Sequence, residues 1–385
     1  MIDYFVKICY IESINSGWNK NRGSKFMKKI FILALASLMT TVIIQNVVKA
    51  NTIEDSINQN VFSIAEESAF ATLQSAQILS MQKANNLDIF SYTAMSKQQR
   101  QLAKLKNKYA LSENDTAISE AINVTEDTNF WIKPYASFEK VRIENGMRTK
   151  NNGYGVYMGA NSGIKELGKG WDYIWGGYIG YNGAYNNLEE FSMYQNGGTL
   201  GFENMFIKDN FFTGFDLNMG ASVASFKGVD FNATYMNGGI TNRTGYNFEF
   251  ADGKFIIQPN LHTSYIFTQN FGHTKHLSDG DVISMKSEAM HTIQIAPGVN
   301  FIGNLKNGWQ PYAGVSLIVN IIPHGHFMPW YAAMPDMATR PIIKYGAGIR
   351  KTWNERCSVM LQAFVRNGGR NGVGLQGGFS FALGK

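Results

Sequence analysis

Residues 211–225 read FFTGFDLNMGASVAS, and the two-residue rhythm of that stretch decides the fold. Phe211, Thr213, Phe215, Leu217, Met219, Ala221 and Val223 fall on one face of an extended chain. Phe212, Gly214, Asp216, Asn218, Gly220, Ser222 and Ala224 fall on the other, because successive side chains of a strand point to opposite sides. One face is greasy and the other is mostly small or polar. The run is far longer than the about five or six residues of an ordinary strand.

The same alternation recurs on both sides of this stretch. Trp171, Tyr173, Trp175, Ile179 and Tyr181 oppose Asp172, Gly176, Gly180 and Asn182. Phe255, Ile257, Leu261, Tyr265 and Phe267 oppose Gln258, Asn260, His262 and Ser264. Pro341, Ile343, Tyr345, Ala347 and Ile349 oppose Lys344 and Arg350. Near the end, Val373, Leu375, Phe379 and Phe381 oppose Gly374, Gln376 and Ser380. The pattern predicts an all-β antiparallel barrel over 129–385 with about twelve strands, an even number as such barrels require. In a membrane the apolar face turns to lipid and the polar face lines the lumen. Trp131, Trp171, Trp309 and Trp353 fall at strand ends, where interfacial girdles are expected. Tight turns near 208–210, 252–253, 304–308 and 354–355 alternate with long loops near 268–283 and 321–338, which predicts one short-turn rim and one long-loop rim. A soluble sandwich or barrel is the competing architecture.

Upstream the rhythm changes. Val61, Ile64, Ala65, Ala69, Leu73, Ala76 and Leu79 have helical spacing, and residues 97–106 are filled with strong helix formers. Residues 51–128 are thus expected to be a short helical passenger and linker, with a helix near 97–109. Farther upstream, Met27-Lys28-Lys29 precedes an apolar run that begins at Ile30 and stops at Gln45-Asn46, too short for the ~20 residues of a spanning helix. Val48-Lys49-Ala50 then offers a small-residue cleavage site, so residues 1–50 read as an export signal with translation starting at Met27.

Composition agrees with many strands and tight turns: 39 Gly, 26 Phe and 18 Tyr against 8 Pro. The net charge of +6 is mild, and much of it lies near the N-terminus and in one Lys-rich helix, which argues against a nucleic-acid surface. With only Cys9 and Cys357, the first within the signal, neither a disulfide framework nor a cysteine zinc site is available. Cys357 reads as a small apolar side chain in a strand.

The order of several short motifs resembles the autotransporter (type V secretion) β-domain. Phe130-Trp131-Ile132-Lys133-Pro134-Tyr135 followed by residues 152–159, NGYGVYMG, is similar to that domain's opening. Ile257-Gln258-Pro259-Asn260-Leu261 with Tyr265 resembles its mid-barrel strand. Residues 309–315, 345–349 and 377–381 resemble later ones. The resemblance implies a twelve-stranded barrel with a helix threading the pore, and the 97–109 helix is the candidate plug. It also implies residence in outer-membrane lipid, and export of an N-terminal passenger. Barrel-assembly machinery and periplasmic chaperones are implied as partners. Two departures stand out. The passenger is very short and lacks repeats, and the sequence closes Phe381-Ala382-Leu383-Gly384-Lys385 rather than on an aromatic.

Parity nominates Asp216, Gln258, Asn260, His262, Lys344, Arg350, Gln362 and Arg366 as pore-lining. Some autotransporters cleave the passenger at paired asparagines, and Asn85-Asn86 is present, although it lies upstream of the plug candidate and such pairs are commonplace in polar segments. His324-Gly325-His326 lacks further nearby ligands for a metal, and His262 with Ser264 lacks a nucleophile motif. No cofactor, metal or enzymatic activity is expected. A translocator-like barrel is the leading expectation. A passive porin-like channel remains open, as does an adhesin binding a host or surface ligand through Phe327, Met328, Trp330 and Tyr331. Mass spectrometry of membrane-extracted protein is expected to show one intact chain beginning at Asn51; a chain beginning at Asn86 would instead establish cleavage of the asparagine pair.

Overall fold

The structure, a computed structural model, describes Ala94 and residues 128–383, apart from 143–147, 188–191, 228–231, 272, 277–281, 288, 322–325, 329–331, 334–339 and 354–356. The chain divides into two units, Met1–Asn51 and Thr52–Lys385, and every described residue belongs to the second. The signal segment, the 97–109 plug candidate, Asn85-Asn86 and His324 lie outside the described residues, as do the side chains of His326, Phe327 and Met328.

Twelve long strands run through the described residues. The first six are β1 (Asn129–Arg142), β2 (Arg148–Asn161), β3 (Trp171–Asn187), β4 (Ser192–Lys208), β5 (Phe211–Lys227) and β6 (Asn232–Tyr246). The second six are β7 (Phe255–Asn270), β8 (Met290–Gly303), β9 (Trp309–Ile321), β10 (Ile342–Trp353), β11 (Cys357–Gly368) and β12 (Arg370–Ala382). Each pairs antiparallel with its neighbour in sequence, and β12 pairs back onto β1 with Asn129 opposite Ala382 and Val141 opposite Arg370. The sheet is a closed up-and-down barrel. Its even strand number brings both ends of the sheet to one rim, where Leu383 N donates to Thr128 O at 2.7 Å. The short connections 209–210 and 304–308 share this terminal rim. The 162–170 connection there carries a short extra strand, Lys165–Gly168, and the 247–254 connection carries another, Phe248–Phe250.

The opposite, distal rim carries the long connections. The segments at 268–283 and 321–338 are not plain loops: the chain stays in the barrel wall to Asn270, and the connections build a separate sheet of their own. His273–His276, Val282–Ser287, His326–Met328 and Ala332–Ala333 pair in that order, so two loops distant in sequence share one four-stranded sheet.

Burial is inverted relative to a soluble barrel. Asp216 is 1% exposed while its neighbour Leu217 is 52% exposed, and Ser222 is buried between exposed Ala221 and half-buried Val223. Leu200, Met219, Ile240, Leu261, Leu317, Leu361 and Leu375 form an exposed aliphatic band at mid-height. Aromatics bracket it. At the terminal rim Trp171 meets Phe211, Tyr173 meets Phe206 and Phe130 meets Phe381, with ring centroids 6.3, 4.9 and 5.3 Å apart. Toward the distal rim Tyr185 meets Tyr194 at 4.8 Å, and Tyr265 stacks on His291 at 5.8 Å. Lys208 reaches over Trp171, and Lys351 lies near both Trp309 and Trp353, charges leaving the hydrocarbon zone along aromatic faces. A face of this kind has no reason to form in water; against hydrocarbon it is the low-energy exterior.

Prolines mark the interruptions in this ladder. Pro134 has no N–H to give, and the β1–β12 register skips from Ile132–Phe379 to Tyr135–Gln376. Pro297 coincides with the gap between Ile295–Val319 and Gly298–Ser316 in β8–β9. The ladder onto β7 skips from Gly245–Asn260 to Phe248–Ile257 across Pro259 without a change of register, and Asn247 N donates to Asn210 O at 2.8 Å.

One sequence expectation is corrected here. Trp131 is not a girdle residue: it is 7% exposed and lies inside the barrel with Tyr135, Tyr157 and Tyr178. Its parity matches Lys133, Tyr135, Ser137 and Glu139, all on the inner face of β1. The inner glycines make room for these rings. A Cβ on Gly159 would come within 2.6 Å of the Trp131 ring, and the rings of Tyr157 and Tyr178 similarly cover Gly180 and Gly201. Replacing Leu217 by Arg at mid-height is expected to cost about 2–4 kcal/mol in denaturant titrations of the vesicle-folded barrel. Asn218→Ser on the inner face should change it by less than about 1 kcal/mol. Equal effects of the two would mean that the greasy face does not meet lipid.

Candidate functional site: the barrel interior

All eight nominated polar residues occupy inner-face positions of their strands. Asp216, Gln258 and Arg366 are buried, while Asn260, His262, Lys344, Arg350 and Gln362 are half-buried. They do not converge on one point. Asp216, on β5, accepts from Asn218 Nδ2 at 2.7 Å. Gln258 is the centre of a network across β6, β7 and β8. Its Oε1 accepts from Arg243 Nη2 at 3.1 Å and from Asn300 Nδ2 at 3.0 Å, and its Nε2 donates to Asn247 Oδ1 at 2.9 Å. Asn260 Nδ2 donates to the Gln258 carbonyl oxygen at 3.1 Å. Gln362 Oε1 accepts from the Tyr312 hydroxyl at 3.4 Å, and Arg350 Nη2 donates to Ser358 Oγ at 3.2 Å. Lys344 and Arg366 both lie over the Phe364 ring, each 4.7 Å from its centroid.

The strongest electrostatic arrangement joins Arg366 to two residues the sequence reading passed over. Glu139 on β1 accepts from Arg366 on β11 through one carboxylate oxygen and from Arg370 on β12 through the other. All three side chains are buried. The partners are 227 and 231 residues apart in sequence, so the triad ties the first strand to the last two, across the seam where the barrel closes. Glu139 shares the inward parity of Trp131 and Tyr135, but nothing local in the sequence shows which cations face it.

On the β1–β4 side the interior is aromatic as well as polar. The hydroxyls of Tyr135 and Tyr157 both donate to Asn182 Oδ1, at 2.7 and 2.6 Å, and Asn182 Nδ2 donates to Thr199 Oγ1 at 3.1 Å. The Tyr135 and Tyr157 rings are stacked 5.7 Å apart. The sequence reading missed this cluster because it assigned aromatics to the exterior.

One residue from upstream of the barrel is seated in this interior. Ala94 is fully buried against Ile256, Ile302, Tyr312 and Met360, inner-face residues of β7, β8, β9 and β11 near the terminal rim. Its carbonyl oxygen accepts from Gln310 Nε2 at 3.4 Å and Asn304 Nδ2 at 3.5 Å. Among the described residues no group of three or more His, Cys, Asp or Glu side chains could hold a metal ion. The interior as described offers hydrogen-bonding and charged groups spread around a wall, suited to contacting a polar chain or water.

Fold and interior together define a transmembrane β-barrel of twelve strands with a polar, charge-networked lumen. Solved structures similar to this fold include autotransporter barrels. The β-domain of the Bordetella autotransporter BrkA matches with 15% identity and a TM-score of 0.54, over 67% of this chain and all of that one. The translocator domain of NalP from Neisseria meningitidis matches with 11% identity and a TM-score of 0.52, over 76% and 98% of the two chains. The transport unit of AIDA-I from Escherichia coli gives 11% identity and a TM-score of 0.51, over 75% and 98%. No family model matches the sequence, and no curated protein does. The chain has the fold of the autotransporter translocator barrel, a likeness of architecture carried at low sequence identity.

Glu139→Gln should leave two buried guanidiniums without their carboxylate and destabilise the barrel by roughly 3–5 kcal/mol, read from heat-modifiable gel migration across a temperature series. Combining it with Arg366→Gln is expected to cost less than the sum of the two single changes. Strict additivity would show that the triad is not a coupled unit.

Proposed function

We propose that the chain is an outer-membrane barrel of the translocator type that anchors the short segment ahead of it and holds part of that segment in its lumen. The seating of Ala94 carries this reading: the main chain upstream of β1 hydrogen-bonds to Asn304 and Gln310 and fills an apolar niche between four strands. A porin needs no such niche. The inverted burial pattern and the two aromatic belts support residence in outer-membrane lipid, with the terminal rim on the periplasmic side, where the strand order begins and ends. Delivery follows from the export signal read at residues 27–50, and insertion would require the barrel-assembly machinery and periplasmic chaperones.

The polar inner wall supports a lumen that accommodates a polar helix, with Asp216, Gln258, Asn260, His262, Lys344, Arg350, Gln362 and Arg366 as the lining groups. The 97–109 helix is the segment we assign to it. The solved barrels compared above are autotransporter units rather than enzymes, which supports a role without catalysis. The shared sheet of the two long distal connections favours a second role for that rim, the display of a defined surface to an external ligand.

Planar-bilayer recording of the full chain and of a variant lacking residues 51–112 separates the readings. The full chain should conduct poorly and the deletion should raise conductance several-fold. Equal conductance sinks the lumenal plug. Protease added to whole cells should then remove residues 51–128 only if the segment is exported rather than retained.

A further inference from the structure

The exterior of the barrel is not apolar all the way to the distal rim. In the last turns of β1 and the first of β2, Lys140 stands directly opposite Lys150, and Arg142 directly opposite Arg148. All four are exposed, and their inner-face neighbours Glu139, Val141, Thr149 and Asn151 are buried, so the four cations point outward from the wall. Arg340, also exposed, joins them: Arg142 N donates to Gly369 O at 2.9 Å, and Gly369 packs against the Arg340 backbone. Among the described residues no acidic side chain pairs with any of the five. The 143–147 connection that links the four contributes one carboxyl, Glu144. Like charges directly opposite one another across an antiparallel pair are destabilising. An anion bound from outside would offset the repulsion of two such pairs in succession.

The surface beside them is built for hydrocarbon. Phe138, 54% exposed, follows the cations down β1 and is paired with Val373 on β12. Val373 opens an apolar groove of about 610 Å³ on the outer face of β9–β12, lined by Leu375, Ala363, Ala347, Val365 and Tyr345. Small Ala363 and Ala347, which are paired, form its floor. At its distal end the lipid-facing polar pair Asn367 Nδ2 to Tyr345 Oη, 3.1 Å apart, caps the groove. Cations above, apolar channel below: the shape suits an amphiphile with several phosphates and saturated chains.

We propose that this face binds a phosphorylated glycolipid of the outer leaflet, its phosphates held by Lys140, Arg142, Arg148, Lys150 and Arg340 and an acyl chain laid over Phe138 into the groove. Guanidinium forks and ammonium groups both suit phosphate oxygens, the former bidentately. At the opposite rim no strand pairing among the described residues sets two cations face to face, and Lys208 and Lys351 there lie over tryptophan rings. The orientation used here rests on the outer-membrane reading above, but the binding itself does not depend on translocation.

The test uses the full chain folded in detergent, with native mass spectrometry after titration with bisphosphorylated lipid A. Binding should weaken by roughly tenfold or more in the Lys140→Gln/Arg142→Gln/Arg148→Gln/Lys150→Gln variant. Lys208→Gln/Lys351→Gln should bind like the unmodified chain. Dephosphorylated lipid A should bind the unmodified chain as weakly as lipid A binds the fourfold variant. A second readout guards against simple misfolding. Arg148→Gln alone should raise the thermal midpoint of the barrel in lipid-free detergent, by relieving like-charge repulsion, and lower it relative to the unmodified chain once lipid A is present. The proposal is overturned if the fourfold variant, still heat-modifiable, retains full affinity. Equal competition by phosphatidylglycerol would overturn it too, as would a thermal effect of the same sign in both media. Absence of lipid A binding by the unmodified chain, alongside normal plug-dependent conductance, would refute this inference and leave the translocator reading standing.

Discussion

Everything in this protein depends on a closed backbone ladder. In hydrocarbon an unpaired N–H or C=O costs several kcal/mol, so a sheet that spans a bilayer can have no edge. The pairing of β12 with β1 meets that requirement, and the chain spends unusual resources on it. A carboxylate and two guanidiniums lie buried at the seam, and at Pro134 the ladder goes without a donor rather than shift register. Removing two guanidiniums and a carboxylate from water is unfavourable in itself. Its return here is positional, because a carboxylate that grips β11 and β12 at once is satisfied only in the closed register.

The same constraint explains the interior. Twelve strands enclose more space than small side chains can fill, and the wall is occupied in two ways. On the β1–β4 side, rings lie flat over glycines of the next strand, and their hydroxyls meet at Asn182. On the β6–β8 side, Arg243, Gln258, Asn300 and Asn247 form a hydrogen-bonded mesh. Between them the apolar niche at the terminal rim takes Ala94. A wall that is half aromatic and half polar can hold a segment of mixed character, which is what an amphipathic helix presents. The exterior has its own division: aliphatic at mid-height, aromatic at both rims, with two facing pairs of cations at the distal end of β1 and β2.

What could be read from the sequence was the part governed by period. Side-chain alternation is a local property of extended chain, so the lipid-facing set around Leu217, Leu261 and Leu375, the strand number and the alternation of turn lengths were all legible. The inner positions of Asp216, Gln258 and Arg366 followed from the same rule. Trp131 was misread because a tryptophan near a strand end satisfies two rules, girdle and parity, and only parity applied. That the long connections share a sheet was not legible, because the pairing of Lys286 with Met328 joins segments far apart in sequence, which no local pattern announces.

The sequence by itself determined that this chain alternates, that it closes on an even number of strands and which face each residue takes. Those are consequences of a two-residue repeat and of a solvent with no hydrogen bonds to offer. Tertiary structure alone decided which inward charges meet, since Glu139 finds Arg366 and Arg370 only when the barrel is shut. It also decided that Ala94 lies within the wall, and that two pairs of cations stand face to face on β1 and β2. Register across strands fixes those encounters, and register is a property of the closed sheet rather than of any one strand.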